Sequence, residues 1–324
     1  MKRLISLLLC ALLIVPALAE DAPDFEPIPW DIKVSPNLPN PDCSLPNNGG
    51  YHDDSIDIQI NVTYWTQDLQ QVDAPGEGTT TVMSARVKLT DVSQFRTGFA
   101  NKYPSKQARH VNDMTKRFNA VMGIDGDYCL YHEQGIVVRN GQTLRMRPHK
   151  GRDELIVDEN GDFHLITCTT QAKWDEYIAG GGTVLHAFCF GPALVVDGVP
   201  LTNLDDVTID NGKAKKAQRM VIGQVGKLEY LILTNEGPES TAPKSVGFDL
   251  VQMANLCVQF GLNNAYNLDG GSSSTIALNN QKINSPSSHK NRMVGDCIWF
   301  ATLVKEETWR EKESVQTVEV EENK

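Results

Sequence analysis

The sequence predicts an α+β fold, a single domain of many short strands with about three helices. Three observations predict it. Apolar and polar residues alternate from Ile56 to Tyr64, the period-2 signature of a half-buried strand. Short apolar runs bounded by turn dipeptides then recur along the chain. Helical periodicity surfaces in only three places.

The chain opens with Lys2 and Arg3, an apolar run from Leu4 to Val15, and Ala17-Leu18-Ala19. Charged start, short apolar run and A-x-A site predict a signal peptide over residues 1–19. No other segment reaches the roughly 18 apolar residues a membrane span requires. Residues 20–50 are rich in Pro, Asp and Asn and read as an extended leader or linker. The folded domain is expected over residues 51–304, with Ile56–Tyr64 and Val82–Leu89 as its first strands. Ser105 to Phe118 changes period: Ala108, Val111, Thr115 and Phe118 share one helical face. Ala120 to Ile124 resumes as a strand ending in Asp125-Gly126-Asp127. Short strands follow near 136–139, 155–157 and 163–167, with turns at Asn140-Gly141 and Asn160-Gly161. Thr170 to Ala179 reads as a short helix stopped by Gly180-Gly181-Gly182. Strands are expected at 184–190, 193–196 and 228–234. Phe248 to Leu262 is the third helix, with Val251, Ala254, Val258 and Gly261 on one face and Asp249 in its first turn. A strand over 296–304 closes the domain, and residues 305–324 form a charged, aperiodic tail.

Composition narrows the function. A net charge of −11 opposes binding to a nucleic-acid backbone, which needs a dense Lys/Arg surface. After signal removal, no membrane insertion is expected. Cys43, Cys129, Cys168, Cys189, Cys257 and Cys297 are widely spaced, with no C-x-x-C to suggest a zinc site. An exported protein could pair them as disulfides; Cys168, Cys189 and Cys297, in apolar strand-like runs, read first as small buried hydrophobes. His164 and His186 fall in strands and read as satisfied structural histidines. No G-x-S-x-G and no H-E-x-x-H is present.

The sharpest feature is Asn267-Leu268-Asp269-Gly270-Gly271-Ser272-Ser273-Ser274-Thr275. An apolar strand stops at a carboxylate, two glycines follow, then four hydroxyls. Successive N–H groups in such a turn can form an anion nest; a tight hairpin with polar decoration fits the same residues. The second feature is Gly123-Ile124-Asp125-Gly126-Asp127-Tyr128, with two carboxylates two residues apart at a strand end. In an extended chain they share a face and could divide acid and base roles. They could also hold a divalent cation, though the rest of an EF-hand loop is missing. Arg96, Arg139 and Arg219 stand at strand ends, where a guanidinium can grip a phosphate bidentately.

The Asn267–Thr275 segment resembles the N-L-D-G-G-G-S-S-T signature of the phosphodiester glycosidase family. The resemblance extends in order through Val92–Thr97, Gly123–Tyr128, Gly135–Gly141, Phe190–Val195, Arg219–Gly223 and Arg292–Asp296. It departs at two positions: the family usually has Asn at Asp125 and a third glycine at Ser272. The resemblance implies an exported hydrolase that cleaves the glycosidic C–O bond of a sugar-1-phosphodiester and releases sugar and phosphomonoester. Its substrate would be a phosphorylated glycan or sugar-1-phosphodiester. Asp269 is the leading carboxylate, base or nucleophile, with Asp125 and Asp127 as alternatives or partners. Arg219 is the first choice for the phosphate, followed by Arg96 and Arg139. Asn267, Gly270, Gly271, Ser272, Ser273 and Ser274 would line the substrate pocket. No cofactor is fixed beyond the divalent cation named above. Aspartate at 125 also favours a second reading, a non-catalytic envelope protein that binds phosphorylated glycans.

Overall fold

The computed structural model describes residues 49–205, 215–238, 245–284 and 291–303. The expected signal peptide, most of the leader, Cys43 and the charged tail lie outside them. Within them no helix is long and apolar enough to cross a membrane.

The strands form three antiparallel sheets. The first has nine strands and runs from Gly49–His52 through Ile56–Trp65, Thr80–Leu89, Glu229–Asn235, Arg219–Gly226 and Asn264–Asn267 to Ala193–Val196 and Val199–Pro200, with Gln71–Val72 paired on Ile56–Trp65 off this path. Gly49 and Gly50, read as the end of the leader, pair with Ile60 and Gln59 as part of its edge strand. The second sheet orders Phe163–Ile166, Glu154–Val157, His186–Phe188, Gly135–Arg139 and Gln142–Arg147. The third orders Gln281–Lys282, Ile276–Leu278, Met122–Asp125, Asp296–Phe300 and Phe95–Phe99.

The inner faces of all three sheets share one core. Ile58, Val87, Ile222 and Ile232 come from the first, Leu155, Val157 and Phe188 from the second, and Ile124, Ile276, Ile298 and Phe300 from the third. At its centre Phe95 packs edge-on to Tyr230 and Phe300, with centroids 5.1 and 5.4 Å away. Buried Tyr230 donates its hydroxyl to Gly161 O at 2.8 Å, so the polar atom brought into the core is satisfied.

Each sheet carries one helix on its outer face. α1 (Val111–Phe118) covers the third with Val111 and Met114 against Ala277, Cys297 and Trp299. α2 (Gln171–Ala179) covers the second through Trp174, packed on Ile136, Val138 and Ile156. α3 (Leu250–Gln259) covers the first through Leu250, Met253, Ala254 and Cys257. Burial on both faces explains the unbroken apolar runs Ile136–Val138 and Leu231–Leu233. Each fully buried Leu or Ile contributes about 1.5–3 kcal/mol of transfer free energy.

The structure refines several expectations. Residues 105–110 are extended, Arg109 forming a bridge with Val294, so the first helix begins at Val111. The third helix begins after Asp249, whose side chain accepts from Gln252 N while Gln252 Oε1 accepts from Asp249 N. Its core face is the Leu250-Met253-Ala254-Cys257 stripe and not the Val251–Val258 face; Val258 is exposed. The Asn140-Gly141 turn has both residues at positive φ, 50° and 74°, as a type I′ hairpin requires. The strand Gln142–Arg147 that it leads into is polar and half-exposed, so no apolar run announced it.

Candidate active site

Strand register brings the site together. Met122–Asp125 is the middle strand of three, with Ile276–Leu278 on one side and Asp296–Phe300 on the other. Ile276 pairs with Ile124 and Cys297 with Asp125. The segments just outside these strands therefore meet at one end of the sheet. Thr275 N donates to Asp125 Oδ1 at 2.8 Å. Asp269 N donates to Gly126 O at 3.2 Å, and Gly126 N to Asp296 O at 3.1 Å. Arg292 N donates to Ser272 O at 3.3 Å. Asp125, Asp127, Asp269 and Asp296 all fall within this junction, together with Arg139, Lys282 and Arg292.

Two glycines are required by close approach. A Cβ on Gly126 would lie 2.3 Å from an Asp296 carboxylate oxygen, and one on Gly270 2.9 Å from Gln218 O. Gly271 has φ +62°, which favours glycine. Ser272 lies in the 3-10 turn Gly271–Ser273, outside the left-handed region. Serine at the family's third-glycine position therefore costs no backbone strain.

The anion-nest reading of this turn is corrected. Gly270 N donates to Asp269 Oδ1, Gly271 N to Gln218 O, Ser273 N to Gly270 O, Ser274 N to Gly271 O and Thr275 N to Asp125. Those N–H groups brace the turn and are not aimed at a ligand. The turn holds Asp269 in place.

The carboxyls differ sharply in environment. Asp127 is fully buried and accepts from Arg139 Nη2 at 2.8 Å, Cys129 N at 3.2 Å and Cys189 N at 2.8 Å. Burial alone would raise it; the Arg139 charge and the Cys189 N–H prevail and hold it well below the usual carboxylate range. Asp296 shares the same guanidinium at 3.1 Å. Burial and the Asp127 charge push Asp296 up to about 7. One guanidinium thus stabilises one carboxylate while its neighbour holds a proton longer.

Asp125 is fully buried, with Oδ2 unpartnered among the described residues. Burial and the charge of Asp269 raise it well above an ordinary carboxyl. Burial thus favours its protonated form, which offers one O–H and one carbonyl oxygen. That is close to the inventory of the asparagine the family carries there. Asp125→Asn is accordingly expected to fold normally and keep kcat within about a factor of ten. A group with a raised folded pKa loses stability as pH climbs through the window above its unfolded value. The substitution removes that loss, so the variant should gain on the wild type between pH 5 and 8 in urea denaturation. Equal pH slopes would show that Asp125 is ionised.

Asp269 is the carboxyl nearest the surface, 9 % exposed. Burial raises it, while Ser273, the Arg292 charge and the Gly270 N–H pull it down. Arg292 is exposed, and its guanidinium lies over the Tyr128 ring, 5.4 Å from the centroid. Lys282 Nζ donates to Ser274 O, Thr275 Oγ1 and Asn291 Oδ1, each at 3.2 Å.

The arginines expected to grip phosphate have other work. Arg96 is buried, donates to Ser93 O at 3.1 Å and lies over Trp299. Arg139 is enclosed by Asp127, Asp296 and the carbonyls of Val138 and Ala187, with Phe188 beneath it at 4.4 Å. Arg219 has its backbone beside Gly270, and its guanidinium donates to Lys215 O at 2.6 Å and to Phe248 O at 3.4 Å. Burial pushes it down to about 10. The carboxylates converge as expected; these three guanidinium groups do not join them as phosphate clamps. Nor do Asp125 and Asp127 present a shared face: the first is turned to Thr275, the second to Arg139. Asp127, Cys129 and Asp296 are close enough to hold a metal, but the Arg139 guanidinium already occupies the position between them. That donor set does not fit a divalent cation.

Asn267 is buried and donates from Nδ2 to Gly191 O at 2.9 Å, so it fixes the neighbouring loop. Sequence reasoning missed Arg292, Asp296 and Lys282 as members of the site. Arg292 and Asp296 stood in a matched motif, yet nothing in their spacing marked them. Only the pairing of Asp296–Phe300 beside Met122–Asp125 makes them neighbours of Asp125. The histidine reading holds: His186 is buried, accepts from Asn140 N at 3.1 Å and is pushed down to about 3, chiefly by burial. The described cysteines are free and all but Cys168 buried.

A family model described as phosphodiester glycosidase matches residues 118–301, which include the three segments of the junction. Zebrafish N-acetylglucosamine-1-phosphodiester alpha-N-acetylglucosaminidase, catalytic domain auto-inhibited by its pro-peptide, shares the fold with a TM-score of 0.60 and 15% identity, over 77% of this chain and 85% of that one. A hypothetical protein from Synechocystis follows at a TM-score of 0.50 and 14% identity, over 76% of this chain and 62% of that one. No curated protein matches the sequence.

Proposed function

Because the chain belongs to the phosphodiester glycosidase family, we propose that it hydrolyses a sugar-1-phosphodiester at the anomeric C–O bond, releasing the sugar and a phosphomonoester. The observation that carries this reading is a carboxyl, Asp269, at the outer edge of a buried carboxyl cluster with the exposed cation Arg292 beside it. A phosphomonoester is a good leaving group, so strong acid assistance is not demanded. What the reaction needs is charge stabilisation at the phosphate and delivery of a nucleophile to an oxocarbenium-like carbon.

In this reading Arg292 takes the phosphate role first assigned to Arg219, Arg96 and Arg139. Asp269 acts as base toward water, or as nucleophile. Burial raises its pKa, which makes it a stronger base than an ordinary carboxylate. Burial and the charge of Asp269 disfavour ionisation of Asp125 behind it, which limits a second negative charge near the developing phosphate. Asp127, Arg139 and Asp296 hold the strand ends in register and so position Asp269. The charged start and Ala17-Leu18-Ala19 support an exported protein.

Hydrolysis in ¹⁸O-water tests the bond cleaved. Label in the released sugar is the expected result. Label in the phosphate would replace this reading with cleavage of the P–O bond.

A further inference from the structure

A cleft of about 740 Å³ opens beside the carboxyl junction. It is joined to the junction by an unbroken series of contacts. Arg292 bonds through its N–H to Ser272, three residues past Asp269, and lies over Tyr128. Tyr128 stacks on Tyr131 with centroids 4.5 Å apart and planes 27° from parallel. Tyr131 lines the cleft, and its hydroxyl is held by Lys106 O at 3.3 Å. Burial raises the Tyr131 hydroxyl, and the charges of Asp296 and Asp269 add to the effect.

The charge of the cleft departs from that of the molecule. The protein carries −11 overall. The cleft is lined by Lys106, Arg145 and Arg147 against one carboxylate, Glu133. Arg147 lies 3.7 Å from Glu133, both exposed, an ion pair worth little in water. Arg145 is held by neutral groups: it donates to Cys129 O at 2.8 Å and to His132 O and Gln134 O at 2.7 Å. With further bonds to Gly135 O and Cys189 Sγ its N–H groups are taken up and its position is fixed, and it makes no ion pair with a carboxylate among the described residues. Tyr131 and Tyr103 add aromatic faces, Tyr103 packed on Phe99 at 5.4 Å. A fixed cation, two exposed ones and two aromatic rings match a chain of sugar rings that carries anionic groups.

We infer that this cleft binds the leaving-group side of the substrate, and that the leaving group is a glycan bearing negative charges beyond the scissile phosphate. The inference rests on the proposed function for its orientation. With the phosphate at Arg292 and the cleaved sugar at Asp269, the chain continues past Tyr128 and Tyr131 into the cleft. At about 740 Å³ the cleft sits in the upper part of the roughly 300–1,000 Å³ range of small-ligand pockets, room for more than one sugar ring.

The test combines binding and turnover. Calorimetry of the full chain uses an oligogalacturonate of about six residues as the anionic probe, with maltohexaose as the neutral one of equal length. The uronate chain should bind, and weaken roughly tenfold when salt rises from about 0.05 to 0.5 M. The double variant Lys106→Glu/Arg147→Glu should weaken it by at least about tenfold, on the usual scale for reversing charges that complement a ligand, with an unchanged melting temperature. In turnover, preference for a uronate-bearing leaving group over methyl should fall in the variant, in KM. Equal binding of neutral and anionic chains would overturn the inference. So would unaltered uronate binding in a well-folded double variant, or tighter binding of an oligothymidylate of equal charge. If no phosphodiester is hydrolysed but uronate binding behaves as described, the glycosidase reading and the leaving-group orientation fail together, and the cleft stands as an anionic-glycan site only. If hydrolysis proceeds with no uronate binding, the cleft assignment fails alone.

Discussion

Asp269→Asn is expected to lower kcat by roughly 10²–10⁴, the usual scale for removing a positioned acid or base. Asparagine preserves the side chain's size and the oxygen that accepts from Gly270 N. It removes the charge and hence the ability to take a proton or attack a carbon. The fold should not suffer. Burial disfavours the ionised form of Asp269, so removing that charge leaves stability equal to the wild type or slightly higher. An Asp269 that served only to brace the turn would show the reverse: a lower melting temperature and normal turnover in the folded fraction. Melting temperature and kcat on the same purified variant separate the two. Well-folded Asp269→Asn protein with wild-type turnover would remove this carboxyl from the mechanism.

The second large effect is expected at Arg139, on stability. Arg139→Met removes the cation from two buried carboxyls that have no other positive partner within hydrogen-bond reach among the described residues. Breaking a buried ion pair from one side costs roughly 3–5 kcal/mol. For a domain of this size that lowers the melting temperature on the order of 10 °C. The pH dependence gives a second signature. In the wild type the two carboxyls pull in opposite directions. Asp127, held low, contributes stability that is present above the unfolded carboxyl value and lost as pH falls through its folded value. Asp296, raised to about 7, costs stability as pH climbs from the unfolded value toward 7. Without Arg139 both carboxyls are raised by burial, and both cost stability with rising pH. The deficit of the variant should therefore be smaller at pH 5 than at pH 8. A uniform deficit at both values would mean that the packing of Arg139 on Phe188 matters and its charge does not. Replacing Asp127 and Asp296 by Asn in the same variant should recover part of the loss, because no uncompensated charge is then left inside.

Much of the architecture was legible from local pattern. Ile56–Trp65 alternates because one face is buried in the common core and the other is partly exposed. Asp269 was legible because an apolar strand ending at a carboxylate and two glycines is an unusual local event. What escaped was information held in strand pairing. Arg139 ends an apolar strand in a way that fits a phosphate clamp or a buried ion pair equally well. Only the placement of Asp296 opposite Asp127 decides for the ion pair. The face of α3 was misplaced for a similar reason: both Val251–Val258 and Leu250–Cys257 are apolar stripes, and the sheet beneath selects the second. Arg292 carries no periodic signal at all; it is a site residue because its backbone is tied to Ser272.

The pairing of Met122–Asp125 has a consequence for biogenesis. Both of its partners, Ile276–Leu278 and Asp296–Phe300, lie more than 150 residues downstream. A ribosome delivers the middle strand of this sheet long before either neighbour exists. The carboxyl junction is thus among the last parts of the molecule to form, after a search over long loops that slows folding. Until Ile276–Leu278 has emerged, the strand that carries Asp125 has both edges open, and until Asp296–Phe300 follows, one of them. A nascent chain in that state is a substrate for chaperones and a template for misassembly. Formation of the carboxyl junction is therefore coupled to delivery of Asp296–Phe300, and deleting that strand removes Asp296 and one partner of Met122–Asp125.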